Sequence, residues 1–202
     1  MPEILLATKN PGKLRELREI TADSPLIWHG LDVYPNIPEA VEDGSTFAEN
    51  ARRKALLYAA ATDMYTLADD SGLQVDYLNG APGVLSARYA GTPHDDAANN
   101  RKLLAALEGV PSAERTARFC CNMAFVRPNE ILCESAGSVE GVIITAPRGD
   151  NGFGFDPLFL IPALNQTMAE LPAVEKNALS HRGQALRAML PKIEHWFQTT
   201  SP

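Results

Sequence analysis

Two adjacent carboxylates, Asp69 and Asp70, follow an apolar segment, Tyr65–Ala68, that predicts a β-strand. Acids side by side at a strand end repel each other, and a divalent cation would relieve that repulsion. Mg²⁺ binds carboxylate and phosphate oxygens, and one carboxylate could also orient or deprotonate a water molecule. The alternative is a turn, Asp69–Gly72, in which the Asp side chains accept hydrogen bonds from nearby N–H groups. The repulsion favours a functional site.

A second acidic group, Glu39, Glu42 and Asp43, lies in the loop before a predicted helix. Acidic side chains before a helix also interact favourably with the helix dipole, and this explains each of the three residues separately. Glu42 becomes a candidate metal ligand only if this loop meets Asp70.

A short loop separates a predicted strand that begins at Glu3 from a predicted amphipathic helix. Backbone N–H groups, a hydroxyl and two lysines at such a junction suit a polyphosphate. The loop lacks the spacing of a P-loop, and an ordinary helix start with solvated lysines explains it equally well when it is taken alone. Its residues are Thr8, Lys9, Asn10, Pro11, Gly12 and Lys13.

Glycines alternate with aromatic residues and an acid between Gly149 and Pro157. Aromatic rings can stack on a nucleobase while glycines let backbone groups reach its edge. The alternative is a glycine-rich loop with two core phenylalanines. We expect one ring of Phe153 and Phe155 to face a base and the other to pack in the core.

Cations cluster where the last predicted helix begins, near Ser180. Lys176, His181 and Arg182 oppose the preference of a helix start for acids, so we expect a bound anion or hydrogen-bond acceptor there. The planar guanidinium of Arg182 suits a base carbonyl or a phosphate. For His181 alone, an ordinary surface position is the simpler explanation.

The elements that must position these side chains alternate between strand and helix. This order predicts an α/β fold with a mixed sheet in a single domain, residues 1–202. The predicted strands are Glu3–Thr8, Leu26–Trp28, Tyr65–Ala68, the hairpin Thr116–Val126 with Ile131–Thr145, and Leu158–Ile161; the predicted helices follow Lys13, run from a capping box at Thr46–Glu49 to Thr62, span Asp95–Leu107, and begin near Ser180 with a kink at Pro191.

Composition excludes several classes of function. The net charge of −7 disfavours a face for polymeric nucleic acid, which needs clustered cations. No apolar run approaches the ~20 residues that span a bilayer, and the first residues lack the features of a secretory signal. Three cysteines without a metal-binding spacing, Cys120, Cys121 and Cys133, favour reduced thiols in a cytoplasmic protein.

Seven motifs, taken together and in order, resemble the Ham1-like family of noncanonical purine nucleoside triphosphate pyrophosphatases. The resemblance runs from Leu5 to about Leu190. It implies a two-lobed α/β subunit with a central twisted mixed sheet flanked by helices, Mg²⁺-dependent hydrolysis of ITP, dITP and XTP to monophosphate and pyrophosphate, and a homodimer. The motifs are Thr8–Lys13, Glu42–Gly44, Thr46–Phe47 with Glu49–Ala51 and Lys54–Ala55, Ala68–Leu73, Gly80–Gly83 with Ser86–Tyr89, Gly152–Pro157 and Ser180–Ala185.

The resemblance also implies roles for individual residues. Thr8 to Lys13 would bind the triphosphate, Asp70 would accept a proton and bind the metal, and Lys54 would lie near the phosphates. Asp69 and Glu42 match supporting acidic positions, with Glu42 as a second metal ligand. The nucleotide-binding positions are Ser71, Phe153, Gly154, Phe155, Asp156, Lys176, His181 and Arg182.

The chain departs from the family pattern at two of these positions. Lys9 stands where glycine is frequent, which adds a positive charge beside the loop. Phe155 stands where tyrosine is common, which removes a hydroxyl but not the ring.

Base selection would depend on the 6-oxo group of hypoxanthine or xanthine. A donor such as Arg182 or a backbone N–H satisfies that oxygen and mispairs with the 6-amino group of adenine. Guanine shares the 6-oxo group, so its rejection has to depend on the 2-position.

Two other functions remain open. One is a Maf-type pyrophosphatase acting on other modified or pyrimidine triphosphates, against which the Ser180–Gly183 motif argues. The other is a nucleotide-binding module without activity, against which the acid pair and the lysines Lys13 and Lys54 argue.

Overall fold

The computed structural model describes residues 2–200 of the chain, in which helices alternate with strands as the sequence predicts. The strands are β1 Glu3–Leu6, β2 Ile27–Gly30, β3 Tyr65–Val75, β4 Thr116–Arg127, β5 Glu130–Ile143, β6 Phe159–Ile161 and β7 Gln166–Thr167. The helices are α1 Pro11–Ile20, α2 Phe47–Thr62, α3 Asp96–Ala106, α4 Ala173–Leu179 and α5 His181–Thr200.

The strands form one mixed sheet in the order β2-β1-β3-β4-β5-β6-β7. β1 pairs in parallel with β2, with Ile4 opposite Trp28, and in parallel with β3, with Leu5 opposite Thr66. β6 pairs antiparallel with both β5 and β7. The predicted α/β class with a mixed sheet is therefore confirmed.

The chain divides into two compact units. The first contains residues 2–70, 121–137 and 182–200, and the second contains residues 71–120 and 138–181. That residues 1–202 act as one domain stays a prediction. Within residues 2–200, none of the helices combines the length and apolarity that crossing a bilayer requires.

Helix caps position the first unit's helices. The Asn10 side chain accepts from the Lys13 N–H, and Pro11 occupies the first turn of α1, where a missing N–H costs nothing. Thr46 caps α2 by accepting from the Glu49 N–H. The Glu49 carboxylate accepts from the Ser45 N–H rather than from Thr46, so the predicted capping box is only half correct.

In the first unit, β3 lies between two apolar layers. Leu67 packs with Leu17 of α1 and Leu186 of α5. The next residue, Ala68, packs with Ala51 and Ala55 of α2. Successive side chains on a strand point to opposite faces. The two residues that follow, Asp69 and Asp70, should continue this alternation.

The prediction that a strand ends at Ala68 is wrong, because β3 continues to Val75 and contains the whole Asp69–Gly72 motif. Gly72 is required by packing in the second unit. A Cβ there would lie 2.7 Å from the Gly83 carbonyl oxygen and 2.3 Å from the Ser86 Oγ, which leaves no space for a side chain.

The C-terminal helices also differ in part from the prediction. A separate helix, α4, precedes Ser180, and α5 begins at His181 and continues through Pro191. The predicted buried face of α5 is confirmed, since Leu186 and Ile193 are buried and Leu190 and Phe197 pack against the same cluster.

Candidate functional site

The loop Thr8–Lys13 connects β1 to α1 in the first unit, as predicted. Thr8 is buried, and its Oγ1 accepts from the Asn10 N–H at 3.2 Å. Gly12 is buried in the first turn of α1, and the exposed Lys9 Nζ donates to the Ile37 carbonyl at 3.1 Å. The predicted loop therefore forms one turn at the start of α1, in which the N–H groups of Asn10 and Lys13 are hydrogen-bonded to the side chains of Thr8 and Asn10.

Asp69 is buried and forms ion pairs with two cationic side chains. Its Oδ2 lies 2.9 Å from the Lys13 Nζ and 3.4 Å from the Arg182 Nε. Burial alone would raise the pKa of Asp69, but the charges of Lys13, Arg182 and Lys54 outweigh it and hold that pKa well below its ordinary value. Asp69 therefore stays ionised across the physiological pH range.

Arg182 is buried in the first unit, with only 2% of its side chain exposed, and it forms an ion pair with Glu16 of α1 as well as with Asp69. Burial opposes its charge, but these two carboxylates raise the pKa of Arg182 above its ordinary value. The sequence predicted a base contact for this guanidinium; that role stays a prediction, and the observed contacts are the two acids.

Asp70 lies in a different environment from its neighbour. The Asn50 Nδ2 of α2 donates to the Asp70 Oδ2 at 2.9 Å. Burial raises the pKa of Asp70, and the charge of Glu42 adds to this, while Lys13, Lys54 and Asn50 oppose it; the net pKa is above the ordinary value. Asp70 is the more basic of the two carboxylates.

The contacts of Asp69 and Asp70 follow the alternation of β3. Asp69 meets α1 and α5, on the face of Leu67, whereas Asp70 meets α2, on the face of Ala68. The sequence treated the pair as one repulsive unit. Their environments instead push their pKa values in opposite directions, which is how a protein gives two acids different roles.

Lys54 faces the same acids from α2. It is buried and forms an ion pair with Glu42. Burial lowers its pKa, but Asp69, Glu42 and Asp70 together raise the pKa of Lys54 above its ordinary value. Glu42 therefore lies beside the α2 lysine, and its charge acts on Asp70; that Glu42 binds a metal stays a prediction.

Glu42 and Asp70 supply hard oxygen donors of the kind that Mg²⁺ prefers. In the part of the chain that the structure describes, no set of three or more His, Cys, Asp or Glu side chains forms a complete metal cage. Mg²⁺ is usually held by one or two carboxylates with substrate phosphates, so these two carboxylates fit it. The charge of Glu42, which raises the pKa of Asp70, is a repulsion that a bound cation would relieve.

The second unit contains the glycine-rich loop. The Asp156 carboxylate accepts from the Phe153 N–H at 2.9 Å and forms a buried ion pair with Lys176 of α4. The Lys176 Nζ also lies 4.9 Å from the centre of the Phe153 ring. These predicted residues are therefore joined in one cluster.

The two aromatic rings of this loop differ as predicted, since one is in the core. Phe155 is buried with Leu158 and Phe159, while Phe153 is only partly buried. His181 is also buried, and its ring stacks on Phe119 with centroids 4.9 Å apart. Ser71 begins this unit within β3.

Sequence reasoning did not select Glu16 or Asn50 as site residues. Glu16 lies on α1 one residue before Leu17, and it is buried. An acid beside the apolar stripe of an amphipathic helix is a signal that could have identified it. Asn50 lies four residues before Lys54, on the same helix face, which was the available signal for Asn50.

Cys121 of β4 is predicted to be chemically inert in the folded protein. It is fully buried, and burial, with the charge of Asp69, raises the pKa of Cys121 to about 12. The reactive thiolate is therefore scarce at pH 8. Iodoacetamide at pH 8 should label Cys121 only after denaturation, as peptide mass spectrometry would reveal; labelling at the rate of the partly exposed Cys120 and Cys133 would contradict this.

Comparisons with known proteins agree with one another over nearly the whole chain. A model of the Ham1 family matches residues 4–192. The chain is 51% identical to the dITP/XTP pyrophosphatase of Desulforamulus reducens over 92% of both chains, and 49% identical to that of Shouchella clausii over 96% of this chain and 98% of the relative. The structure of a HAM1 protein from Coxiella burnetii superposes with a TM-score of 0.87 at 42% identity, covering 96% of this chain and 100% of the other. The matched residues include every candidate site residue named above.

Proposed function

The chain belongs to the Ham1 family, and from this premise we propose that it hydrolyses the noncanonical purine nucleoside triphosphates ITP, dITP and XTP to monophosphate and pyrophosphate. The relatives' names provide the substrate class. The observation that carries the chemistry is the pair Asp69 and Asp70, whose pKa values are shifted in opposite directions beside Lys13 and Lys54.

Asp70 has the properties of the general base in this proposal. In the metal-free protein burial raises the pKa of Asp70, so this carboxylate takes up a proton more readily than an exposed carboxylate does. The Asn50 amide holds one of its oxygens, which fixes the orientation of the carboxylate. The water that it activates would attack the α-phosphorus, and pyrophosphate would leave.

The loop Thr8–Lys13 and the side chain of Lys54 would bind the phosphates, and the lysines would stabilise charge that develops on them. Asp69 holds Lys13 in place through the 2.9 Å ion pair.

Asp70 and Glu42 would hold Mg²⁺. When bound, the ion neutralises charge on the phosphate oxygens and on the leaving pyrophosphate. Lys54, which forms an ion pair with Glu42, would keep that carboxylate oriented.

The test is the release of pyrophosphate, rather than inorganic phosphate, from ITP, dITP, XTP, GTP, ATP and UTP, each with and without Mg²⁺. We expect rapid release from the first three and only with Mg²⁺. Faster release from UTP would favour a Maf-type activity, and no release from any of them would favour a binding module.

Lys13→Ala should weaken the binding of the triphosphate more than that of the nucleoside, because Lys13 lies at the start of α1 with only 13% of its side chain exposed. Losing a hydrogen bond to a charged group costs about 1.5–3 kcal/mol, or roughly a tenfold to hundredfold loss of affinity. Calorimetric titration with ITP and with inosine measures both. Equal losses for the two ligands would place Lys13 away from the phosphates.

We also propose, from the family resemblance alone, that the protein is a homodimer in the cytoplasm. Three free thiols, at Cys120, Cys121 and Cys133, are compatible with a reducing compartment. Light scattering of the purified protein gives its mass directly, and a value near the monomer's 21.9 kDa would contradict the dimer.

A further inference from the structure

The glycine-rich loop of the second unit is costly to order. Gly149, Gly152 and Gly154 all have positive φ angles, of 81°, 80° and 63°. Glycine is the residue least restricted in φ, so a loop built on three of them loses much conformational entropy when it is ordered. Contacts from other parts of the second unit should therefore help to hold it, in addition to the hydrogen bond between Asp156 and Phe153 within the loop.

Two side chains of α3 provide such contacts at a single residue of the loop. The Gly154 N–H donates to the Asp96 Oδ2 at 2.8 Å, and the Asn100 Nδ2 donates to the Gly154 carbonyl at 2.9 Å. Asp96 and Asn100 are four positions apart, so they lie on one face of the helix. Both backbone polar groups of Gly154 are thus occupied by the same helix turn.

The chemistry at the two positions is opposite. An N–H needs an acceptor at position 96, and a carbonyl needs a donor at position 100. The Asn100 amide cannot be turned around without placing its oxygen against the Gly154 oxygen. The exchange of an amide for a carboxylate, Asn100→Asp, keeps the size of the side chain but removes the donor that the Gly154 carbonyl needs. The reverse exchange, Asp96→Asn, keeps an oxygen acceptor and should be harmless.

Gly154 lies between Phe153 and Phe155 in the sequence. Phe155 is fixed in the core, whereas Phe153 is partly exposed beneath Lys176. The Asp156 carboxylate holds the Phe153 N–H on the other side. Releasing Gly154 would therefore remove one of the restraints on Phe153, which then depends on Asp156 and Lys176, while Phe155 stays packed in the core.

We propose that Asp96 and Asn100 are positioning residues for nucleobase binding, which hold Gly154 so that Phe153 presents a fixed ring to the base. This inference rests on the proposed function. The two residues do not touch the base; they act through the loop. Neither residue is among the site residues that the sequence indicated.

The experiment compares Asn100→Asp with Asp96→Asn and Asp96→Ala. Asn100→Asp replaces the donor by a carboxylate and should raise KM for ITP about threefold to tenfold, the range expected for one lost hydrogen bond, with kcat less affected. Asp96→Ala should have a similar effect. Asp96→Asn keeps an oxygen acceptor and should behave like the wild type, because the exposed His94–Asp96 contact that it weakens is worth little.

Two further readouts separate positioning from general stability and from the proposed function. Hydrogen exchange of the 149–157 segment should be faster in Asn100→Asp, and IMP should bind more weakly by calorimetry, while Tm stays near that of the wild type. The matched control is Arg101→Ala, at an exposed position of the same helix. It should change neither exchange nor affinity.

The outcomes are distinguishable. If the wild type hydrolyses ITP but Asn100→Asp and Asp96→Ala retain its KM, IMP affinity and loop exchange, the inference is overturned and the proposed function stands. If the wild type does not hydrolyse ITP, the proposed function fails, and the exchange of the loop still decides whether α3 holds Gly154. Equal effects of Asp96→Asn and Asp96→Ala would also overturn the inference.

Discussion

Asp70→Asn should lower kcat for ITP by about 10²–10⁴-fold, the usual contribution of a general base. The substitution keeps the size of the side chain and removes its charge. The Asn50 Nδ2 can still donate to the new amide oxygen, so the contact with α2 is preserved. Nucleotide should therefore still bind, and the measurement is kcat together with the calorimetric affinity for ITP.

The matched control is the neighbouring change, Asp69→Asn. Asp69 forms ion pairs with the buried Arg182 and the partly buried Lys13, so its loss should lower the free energy of unfolding, whereas Asp70→Asn should not. Turnover by Asp70→Asn within a few-fold of the wild type would show that Asp70 is not the base.

Arg182→Met should lower the free energy of unfolding by about 3–5 kcal/mol, the cost of removing one partner from a buried ion pair. Methionine roughly preserves the apolar stem, but it leaves Glu16 and Asp69 as buried carboxylates without their shared cation. Denaturation by urea, followed by circular dichroism, measures the loss. A loss below about 1 kcal/mol would contradict the anchoring role, since it would match an exposed pair.

The control for an exposed ion pair is Arg52→Met. Arg52 forms two hydrogen bonds with Glu134 at the surface, at 2.6 and 3.0 Å, and its loss should cost less than about 1 kcal/mol. The double variant Glu16→Gln/Arg182→Met should lose less free energy of unfolding than the sum of the losses in the two single variants, because one of the uncompensated charges is then absent.

The ITP/ATP ratio of kcat/KM in Arg182→Met tests the sequence-based prediction that Arg182 binds the 6-oxo group of the base.

Much of the fold could be predicted because its strands and helices have strong local signals. The apolar segment at Ile4–Leu6 before a capped helix, and the Pro-Asn turn between β4 and β5, gave nearly correct elements. β3 was predicted too short because Asp, Ser and Gly disfavour strands in isolation. Pairing within the sheet overrides that preference over Asp69–Val75.

The candidate site was predictable in its membership but not in its connections. Motif spacing identified Asp69, Asp70 and Arg182, yet it does not reveal that Arg182 meets Asp69, which lies 113 positions earlier in the chain. Glu16 and Asn100 were missed for the same reason, because a polar residue on a helix is ordinary until its distant partner is known.

The opposite facing of Asp69 and Asp70 has a consequence for how the two positions tolerate mutation in a living cell. Unfolded chains are degraded, so a change of 1–2 kcal/mol in stability alters protein abundance several-fold. Substitutions at Asp69 should deplete the protein itself. Substitutions at Asp70 should leave abundance unchanged or raise it, because burial makes its charge costly to keep. A library of variants scored once for abundance and once for activity should therefore give different profiles at the two neighbouring positions. Substitutions at Asp69 should score poorly in both screens, and substitutions at Asp70 should score poorly only in the screen for activity.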